Sequence, residues 1–211
     1  HQGIGGFGAS SAQYLLVEKF LNDKRQTQVS SLDRLSSYRR YAKGVSAKRL
    51  PSGADYLAQG LEGLVLVDTK NATARKIDWP FQDWCVRAIR TTFKVPTHKH
   101  LNDKLAIPTS LLTPLVEEAI LAIKNNDISV LLQAVNEYSK VLQMANLQHE
   151  GARQIVSDLN SELRHSGVSK FALKGCGALG ADVIILIHER SHLSIIENLS
   201  RLKNLRHMEI L

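Results

Sequence analysis

The sequence contains few of the features that mark several protein classes. Its 211 residues include only two cysteines, Cys85 and Cys176, which cannot brace a chain of this length. We therefore expect two free thiols in a reducing compartment. No apolar run approaches the ~20 residues of a membrane-spanning helix, and no secretory signal, internal repeat or flexible linker is visible. With 44% hydrophobic residues the chain has enough apolar surface for a core, so we expect a soluble, cytoplasmic globular protein.

Acidic residues are scarce in one part of the chain. The net charge is +7, and residues 18–49, with nine basic and only three acidic side chains, supply +6 of it. A local basic patch indicates that an anion binds there without identifying the anion. A solvated helix surface explains the patch equally well. Single-stranded RNA binding is a remote alternative, and we expect no nucleic-acid partner.

Hydrophobic periodicity predicts an α+β protein whose two halves differ. The first half has predicted helices at 9–23 and 31–43, a short helix ending near 59, and strands at 63–68, 73–78 and 85–95. The second half has predicted helices at 111–124, 128–145 and 150–165, a strand at 169–173, a glycine-containing loop at 174–180, a strand at 182–188, a helix at 191–203 and a strand at 206–211. This order predicts helices on one face of an antiparallel sheet.

A glycine-rich segment, residues 3–8, precedes the first helix. Glycines allow the backbone to approach an anion closely, and the helix N-terminus offers unpaired N–H groups. The hydroxyls of Ser10 and Ser11 can contact a phosphate or its magnesium ion. No Gly-Lys-Ser/Thr follows, which excludes a Walker A loop. An ordinary tight turn explains this segment alone equally well.

Three segments together resemble the GHMP kinases. Residues 6–12, Gly-Phe-Gly-Ala-Ser-Ser-Ala, are similar to the phosphate loop of that family, and residues 51–55, Pro-Ser-Gly-Ala-Asp, to a segment of its mevalonate-pathway members. Residues 177–182, Gly-Ala-Leu-Gly-Ala-Asp, resemble its C-terminal glycine loop. The resemblance covers the whole chain and implies a two-domain α+β fold. Residues 1–105 would form an incomplete, ribosomal-protein-like N-terminal domain, and residues 106–211 a ferredoxin-like domain.

The same resemblance implies an ATP- and Mg²⁺-dependent kinase acting on a small anionic substrate, mevalonate or phosphomevalonate. Another GHMP sugar or amino-acid kinase and an inactive homologue are the alternatives. Asp55 would face the acceptor hydroxyl as its base, although helix capping alone also explains an aspartate there. Ser10 would hold magnesium. The nucleotide phosphates would lie against Gly6, Gly8, Ala9, Ser10 and Ser11, with Gly177, Ala178 and Gly180 closing the site, and the substrate would lie near Ser52, Gly53 and Thr97.

The sequence also departs from the family pattern. Ala9 replaces the first serine of the phosphate loop, and Leu179 and Ala181 replace glycines of the C-terminal loop. No acidic residue lies between Asp33 and Asp55, where mevalonate kinases carry a magnesium-binding glutamate. The family's first motif, Pro-Gly-Arg-x-Asn, would precede the phosphate loop, so we expect the sequence to be a fragment. We expect no membrane partner and a monomer or homodimer.

A second motif indicates different chemistry. Residues 188–192, His-Glu-Arg-Ser-His, match the His-Glu-x-x-His pattern of zinc hydrolases, in which His188 and His192 would bind zinc with Glu189 as base. That chemistry requires both histidines on one face of a helix. Because the motif follows the β-branched run 183–187, we expect it to straddle a strand and a helix. A zinc hydrolase is therefore a remote alternative.

Overall fold

The fold is taken from a computed structural model of the chain, which describes residues 9–25, 30–44, 52–61, 63–91, 107–176, 180–203 and 205–211. The chain divides into two compact units, His1–Asp78 and Trp79–Leu211. The sequence predicted a domain boundary after residue 105, which lies outside the described residues and stays a prediction. The compact units divide earlier because the strand at Trp84–Arg90 pairs with strands near the C-terminus.

The first unit consists of three helices and a hairpin. Helices α1 (Ala9–Arg25), α2 (Ser31–Gly44) and α3 (Ala54–Ala58) precede strands β1 (Leu64–Asp68) and β2 (Thr73–Ile77). The strands are antiparallel, from the pair Leu64 and Ile77 to the pair Asp68 and Thr73. The core of this unit is made of Leu15, Leu35, Tyr38, Tyr56 and Ala72.

Helix α1 buries a narrower face than its apolar pattern predicts. Ser11 and Leu15 are buried, whereas Leu16 and Phe20 are 69% and 61% exposed. The apolar periodicity therefore predicts correctly that this segment is a helix. It does not identify which apolar side chains enter the core.

The second unit contains a four-stranded antiparallel sheet. Its elements in chain order are β3 (Trp84–Arg90), α4 (Thr109–Lys124), α5 (Ile128–Met144), α6 (Glu150–His165), β4 (Phe171–Cys176), β5 (Val183–Glu189), a 3₁₀ turn (Arg190–His192), α7 (Leu193–Leu202) and β6 (Arg206–Glu209). The strands lie in the order β4-β5-β3-β6. A β-α-β-β-α-β succession with this order is the ferredoxin-like arrangement. The predicted α+β class is confirmed.

Helices cover both faces of this sheet, and the prediction of a single covered face is wrong. On one face Ile89, Leu173 and Leu186 pack with residues of α6 and α7. On the other face Val86 and Ile187 pack with residues of α4 and α5. The reason is visible in β5, whose apolar run leaves no polar face to meet water.

Strand β4 is longer than predicted. The sequence places Lys174 and Cys176 in a glycine-containing loop, but both residues continue the ladder, opposite Ile185 and Val183 of β5. Gly175 between them is poorly suited to a strand by propensity, so long-range pairing overrides a local signal here.

Candidate functional site

The structure describes only part of the predicted site. Gly6, Gly8, Thr97, Gly177 and Ala178 lie outside the described residues. Ala9 and Ser10 form the first turn of α1, although their side chains are outside the description. The described site residues of the first unit are therefore Ser11, Ser52, Gly53 and Asp55. Gly180 belongs to the second unit.

Ser11 is anchored at the start of α1. Ser11 is 2% exposed, and its side chain forms a hydrogen bond with the side chain of Tyr38 on α2. Burial of a hydroxyl is costly unless it finds a partner, and Tyr38 provides one. The interaction fixes the N-terminal turn of α1 against α2.

Asp55 lies in the first turn of α3. The residue is exposed, and its charge helps to raise the pKa of Tyr38, after burial, which is the larger cause. Ser11 and Asp55 therefore act on the pKa of Tyr38 in opposite directions, since the Ser11 hydrogen bond lowers it. Sequence reasoning missed Tyr38, although its i, i+3 spacing from Leu35 on a predicted helix identifies it as a core residue.

Aromatic packing continues from Tyr38 into the core. The Tyr38 and Tyr56 rings stack with centroids 4.8 Å apart, and the Tyr14 ring meets Tyr38 edge-on at 5.4 Å. The Tyr56 hydroxyl donates to Glu18 over 2.6 Å, and burial raises the pKa of this phenol. Arg34 donates to the same carboxylate oxygen, so hydrogen bonds to Glu18 of α1 connect this helix to both α2 and α3.

The turn before α3 has little conformational freedom. Gly53 has φ +80°, and a Cβ added to it would lie 2.2 Å from Leu35 Cδ1. Only glycine satisfies both the left-handed backbone and the missing space. The Gly53 carbonyl then accepts from the Leu57 amide over 3.0 Å. The Ser-Gly-Ala-Asp segment thus places Asp55 at a fixed point of α3.

In the second unit, Gly180 lies where the β4–β5 connection returns to the sheet. Its φ is +60°, and a Cβ added to Gly175 would lie 2.6 Å from the Gly180 carbonyl oxygen. The side chain of Thr91 also donates to the carbonyl of Ala181. The ends of the glycine loop are therefore packed backbone against backbone, whereas residues 177–179 lie outside the described part.

The His-Glu-x-x-His pentapeptide straddles a strand and a 3₁₀ turn, as predicted. His188 is on β5 and fully buried, with its Nε2 3.1 Å from Cys85 Sγ and its Nδ1 2.6 Å from the Glu189 carbonyl. Nδ1 must donate to that carbonyl, so Nε2 accepts from the thiol. Burial lowers the pKa of His188 and raises that of Cys85, which keeps the pair neutral. Because His188 lies on a strand and His192 in a 3₁₀ turn, the two histidines are not one turn apart on a single helix, as this zinc motif requires.

An ionic network fixes β6 beside this pair. Arg87 donates to His207 Nδ1 over 2.7 Å and to Glu209 over 3.3 Å, and Arg190 donates to Glu209 over 2.6 Å. Burial, followed by the charge of Arg87, lowers the pKa of His207. The Arg190 hydrogen bond lowers the pKa of Glu209. Sequence reasoning did not find this network, because only the β3–β6 pairing brings its members together.

Cys85 and Cys176 are both free, as the sequence predicted. Across the described ranges, no three His, Cys, Asp or Glu side chains converge to hold a metal ion. Within the same ranges no helix is both long enough and apolar enough to span a bilayer.

Comparisons with known proteins give matches in structure alone. No protein-family model and no curated protein matches the sequence. Among solved structures, Streptococcus pneumoniae phosphomevalonate kinase in complex with phosphomevalonate and AMPPNP matches 97% of this chain and 69% of its own, with a TM-score of 0.72 and 17% identity. L. major mevalonate kinase in complex with R-mevalonate matches 96% and 65%, with a TM-score of 0.67 and 19% identity.

Lactococcus lactis galactokinase complexed with galactose is a third match, over 97% of this chain and 66% of its own, with a TM-score of 0.72 and 11% identity. The chain thus spans about two thirds of the length of these proteins, 65–69%. At these identities the likeness concerns the fold and not the activity. The chain has the fold of the GHMP kinases.

Proposed function

We propose that this chain carries out ATP-dependent phosphoryl transfer to a small anionic acceptor, mevalonate or phosphomevalonate. The observation that supports the proposal is the similarity in fold to a mevalonate kinase and a phosphomevalonate kinase. It is joined by the tightly packed Gly53 turn, which precedes Asp55 in the Pro-Ser-Gly-Ala-Asp segment.

Helix α1 supplies the proposed phosphate site. Its first-turn N–H groups have no partner within the helix and carry the positive end of the dipole. The hydrogen bond between Ser11 and Tyr38 holds this turn in place. Because Ser11 is already engaged, the hydroxyl proposed to reach magnesium is that of Ser10.

Magnesium would neutralise charge on the transferring phosphoryl group. The residues present fit a weakly held ion, because Mg²⁺ usually keeps several waters and takes one or two protein ligands plus substrate phosphates. Ser10 would be one such ligand.

Asp55 would orient the acceptor hydroxyl and accept its proton. Asp55 is exposed, and no hydrogen bond or ion pair joins its side chain to another described residue. Phosphoryl transfer depends on alignment of the nucleophile more than on covalent help from the protein. A carboxylate at a fixed point of α3 supplies that alignment.

Exposed cations on α2 support an anionic acceptor. Arg40 and Lys43 are both exposed and belong to the basic stretch. The similarity in fold to a galactokinase keeps a neutral sugar as the second candidate.

The proposal is tested by measuring ADP production by the complete protein with mevalonate, phosphomevalonate, galactose and homoserine as acceptors. We expect turnover with one of the first two, and no turnover without an acceptor. Turnover with galactose or homoserine alone would reject the mevalonate class but keep the kinase. Absence of both ADP formation and ATP binding would reject the kinase.

The role of Asp55 is tested with Asp55→Asn. We expect kcat to fall by about 10²-fold or more while ATP binding persists, because the proton acceptor is lost and the shape is kept. Asp33→Asn is the matched control, since Asp33 also lies in the first turn of a helix and is exposed. Equal kcat values for the two variants would remove Asp55 from the reaction.

A further inference from the structure

Arg39 reaches from α2 to the turn that precedes α3. Its Nη2 donates to the carbonyl oxygen of Ser52 over 2.7 Å. Its Nε is buried and hydrogen-bonds no other described residue. Among the described residues, the one hydrogen bond of the Arg39 guanidinium is to the turn.

These contacts give Arg39 a different role from the one suggested by the basic stretch, residues 18–49. By charge alone, Arg39 belongs with the cations that attract an anionic substrate. Its neighbour Arg40 does fit that description, because it is exposed and its only described hydrogen bond is a 3.4 Å contact with Ser37, one turn away on the same helix. Two adjacent arginines thus have different surroundings.

The Ser52 carbonyl belongs to the peptide plane that enters Gly53. At Gly53, the next residue, Leu35 packs so closely that there is no space for a Cβ. Next along the chain, the Ala54 amide donates to Ser52 Oγ over 3.3 Å. Arg39 therefore holds the Ser52–Gly53 peptide group through its carbonyl oxygen.

We propose that Arg39 is a positioning residue for Asp55, holding the Ser52–Gly53 peptide so that the carboxylate at the start of α3 faces the acceptor. This rests on the proposed function. Tyr38 and Arg39 are consecutive, so one turn of α2 contacts Ser11 through Tyr38 and the turn before Asp55 through Arg39. The distance between the phosphate-binding turn and the acceptor carboxylate is set by α2.

The test compares Arg39→Met with Arg40→Met. Methionine keeps much of the aliphatic stem and removes every donor, which limits the loss of packing. In Arg39→Met we expect kcat to fall at least about tenfold, with the KM for ATP within about twofold, since small misplacements of catalytic groups are costly. Arg40→Met removes a cation proposed to attract the acceptor, so it should raise the KM of the anionic acceptor, which distinguishes a binding role from a positioning role. Arg39→Lys, which restores one donor, should recover part of kcat.

Hydrogen exchange supplies a readout that does not need turnover. The Leu57 and Gln59 amides donate to the Gly53 and Asp55 carbonyls and report on α3. We expect them to exchange about tenfold faster in Arg39→Met and unchanged in Arg40→Met, while amides of α1 keep their protection. Equal exchange and equal kcat in the two methionine variants would overturn the inference.

The two levels of the proposal fail in distinguishable ways. If the unaltered chain transfers no phosphate to any acceptor, the proposed function fails, and the exchange rates still decide whether Arg39 holds the turn. If the chain is active and Arg39→Met changes only the KM for the acceptor, Arg39 binds substrate and is not a positioning residue.

Discussion

Replacing Gly53 with alanine is a sharp test of how the site is held. Two costs add at this position. The backbone has φ +80°, and placing a residue with a Cβ in the left-handed region costs about 1–2 kcal/mol. The new methyl would also lie 2.2 Å from Leu35 Cδ1, and overpacking of a core costs about 1–3 kcal/mol. We therefore expect Gly53→Ala to lower the free energy of unfolding of the first unit by about 2–5 kcal/mol.

The two costs can be separated. In a Leu35→Ala background the clash disappears, so Gly53→Ala should then cost only the backbone strain, about 1–2 kcal/mol. Gly167, with φ +82° and open space around it, gives a second measurement of strain alone. Gly60→Ala is the neutral control, because a Cβ there meets nothing within 4 Å and its φ is not positive.

The assay is urea unfolding followed by hydrogen exchange on peptides of α2 and α3, which reports the first unit separately. The variant should also lose ADP production beyond what its stability explains, since α3 carries Asp55. If Gly53→Ala proves as stable as Gly60→Ala, the tight contact between Gly53 and Leu35 is not present in solution. The turn would then not hold Asp55 in place.

Two further predictions concern the second unit. The stability of this unit should fall as the pH drops below about 6.5. Burial lowers the pKa of His188 and His207 in the folded protein, so the unfolded chain binds more protons in this range. At lower pH, the lowered pKa of Glu209 adds a further loss of stability. Melting temperatures from pH 8 to pH 4 test this, with a flatter profile expected for His207→Gln and a pH-independent melting temperature as the contrary result. Gly175→Ala should destabilise the β4–β5 connection by about 1–3 kcal/mol, because its Cβ would lie 2.6 Å from the Gly180 carbonyl oxygen, and a melting temperature equal to that of the unaltered chain would contradict that packing.

Local patterns predicted the elements well. Helix α6 runs from Glu150 to His165 as its amphipathic spacing predicts, and α1 and α2 differ from their predicted ends by at most two residues. The short-range signals are strong because each helix repeats its apolar positions several times. The register of the sheet is not encoded in this way, which is why the extension of β4 to Cys176 and the double-sided burial of β5 became visible only in three dimensions.

The site was predictable in its sequence motifs but not in its supports. Ser11 and Asp55 are found by motif, whereas Tyr38 and Arg39 are ordinary residues of a basic amphipathic helix. Their roles depend on where α2 lies relative to the turn at Ser52, and that placement is a property of the tertiary structure. The zinc-like pentapeptide shows the converse, since its sequence matches the motif but its backbone is a strand and a 3₁₀ turn instead of one helix.

The tyrosine cluster of the first unit has a spectroscopic consequence. Four of the five tyrosines lie before Asp78, and both tryptophans, Trp79 and Trp84, lie after it. Light that excites only indole therefore reports on the second unit, while near-ultraviolet circular dichroism of stacked phenols is dominated by Tyr38 and Tyr56 in the first. The chain thus carries separate optical labels for its two units, and each can be followed during unfolding or ligand binding without attaching a dye.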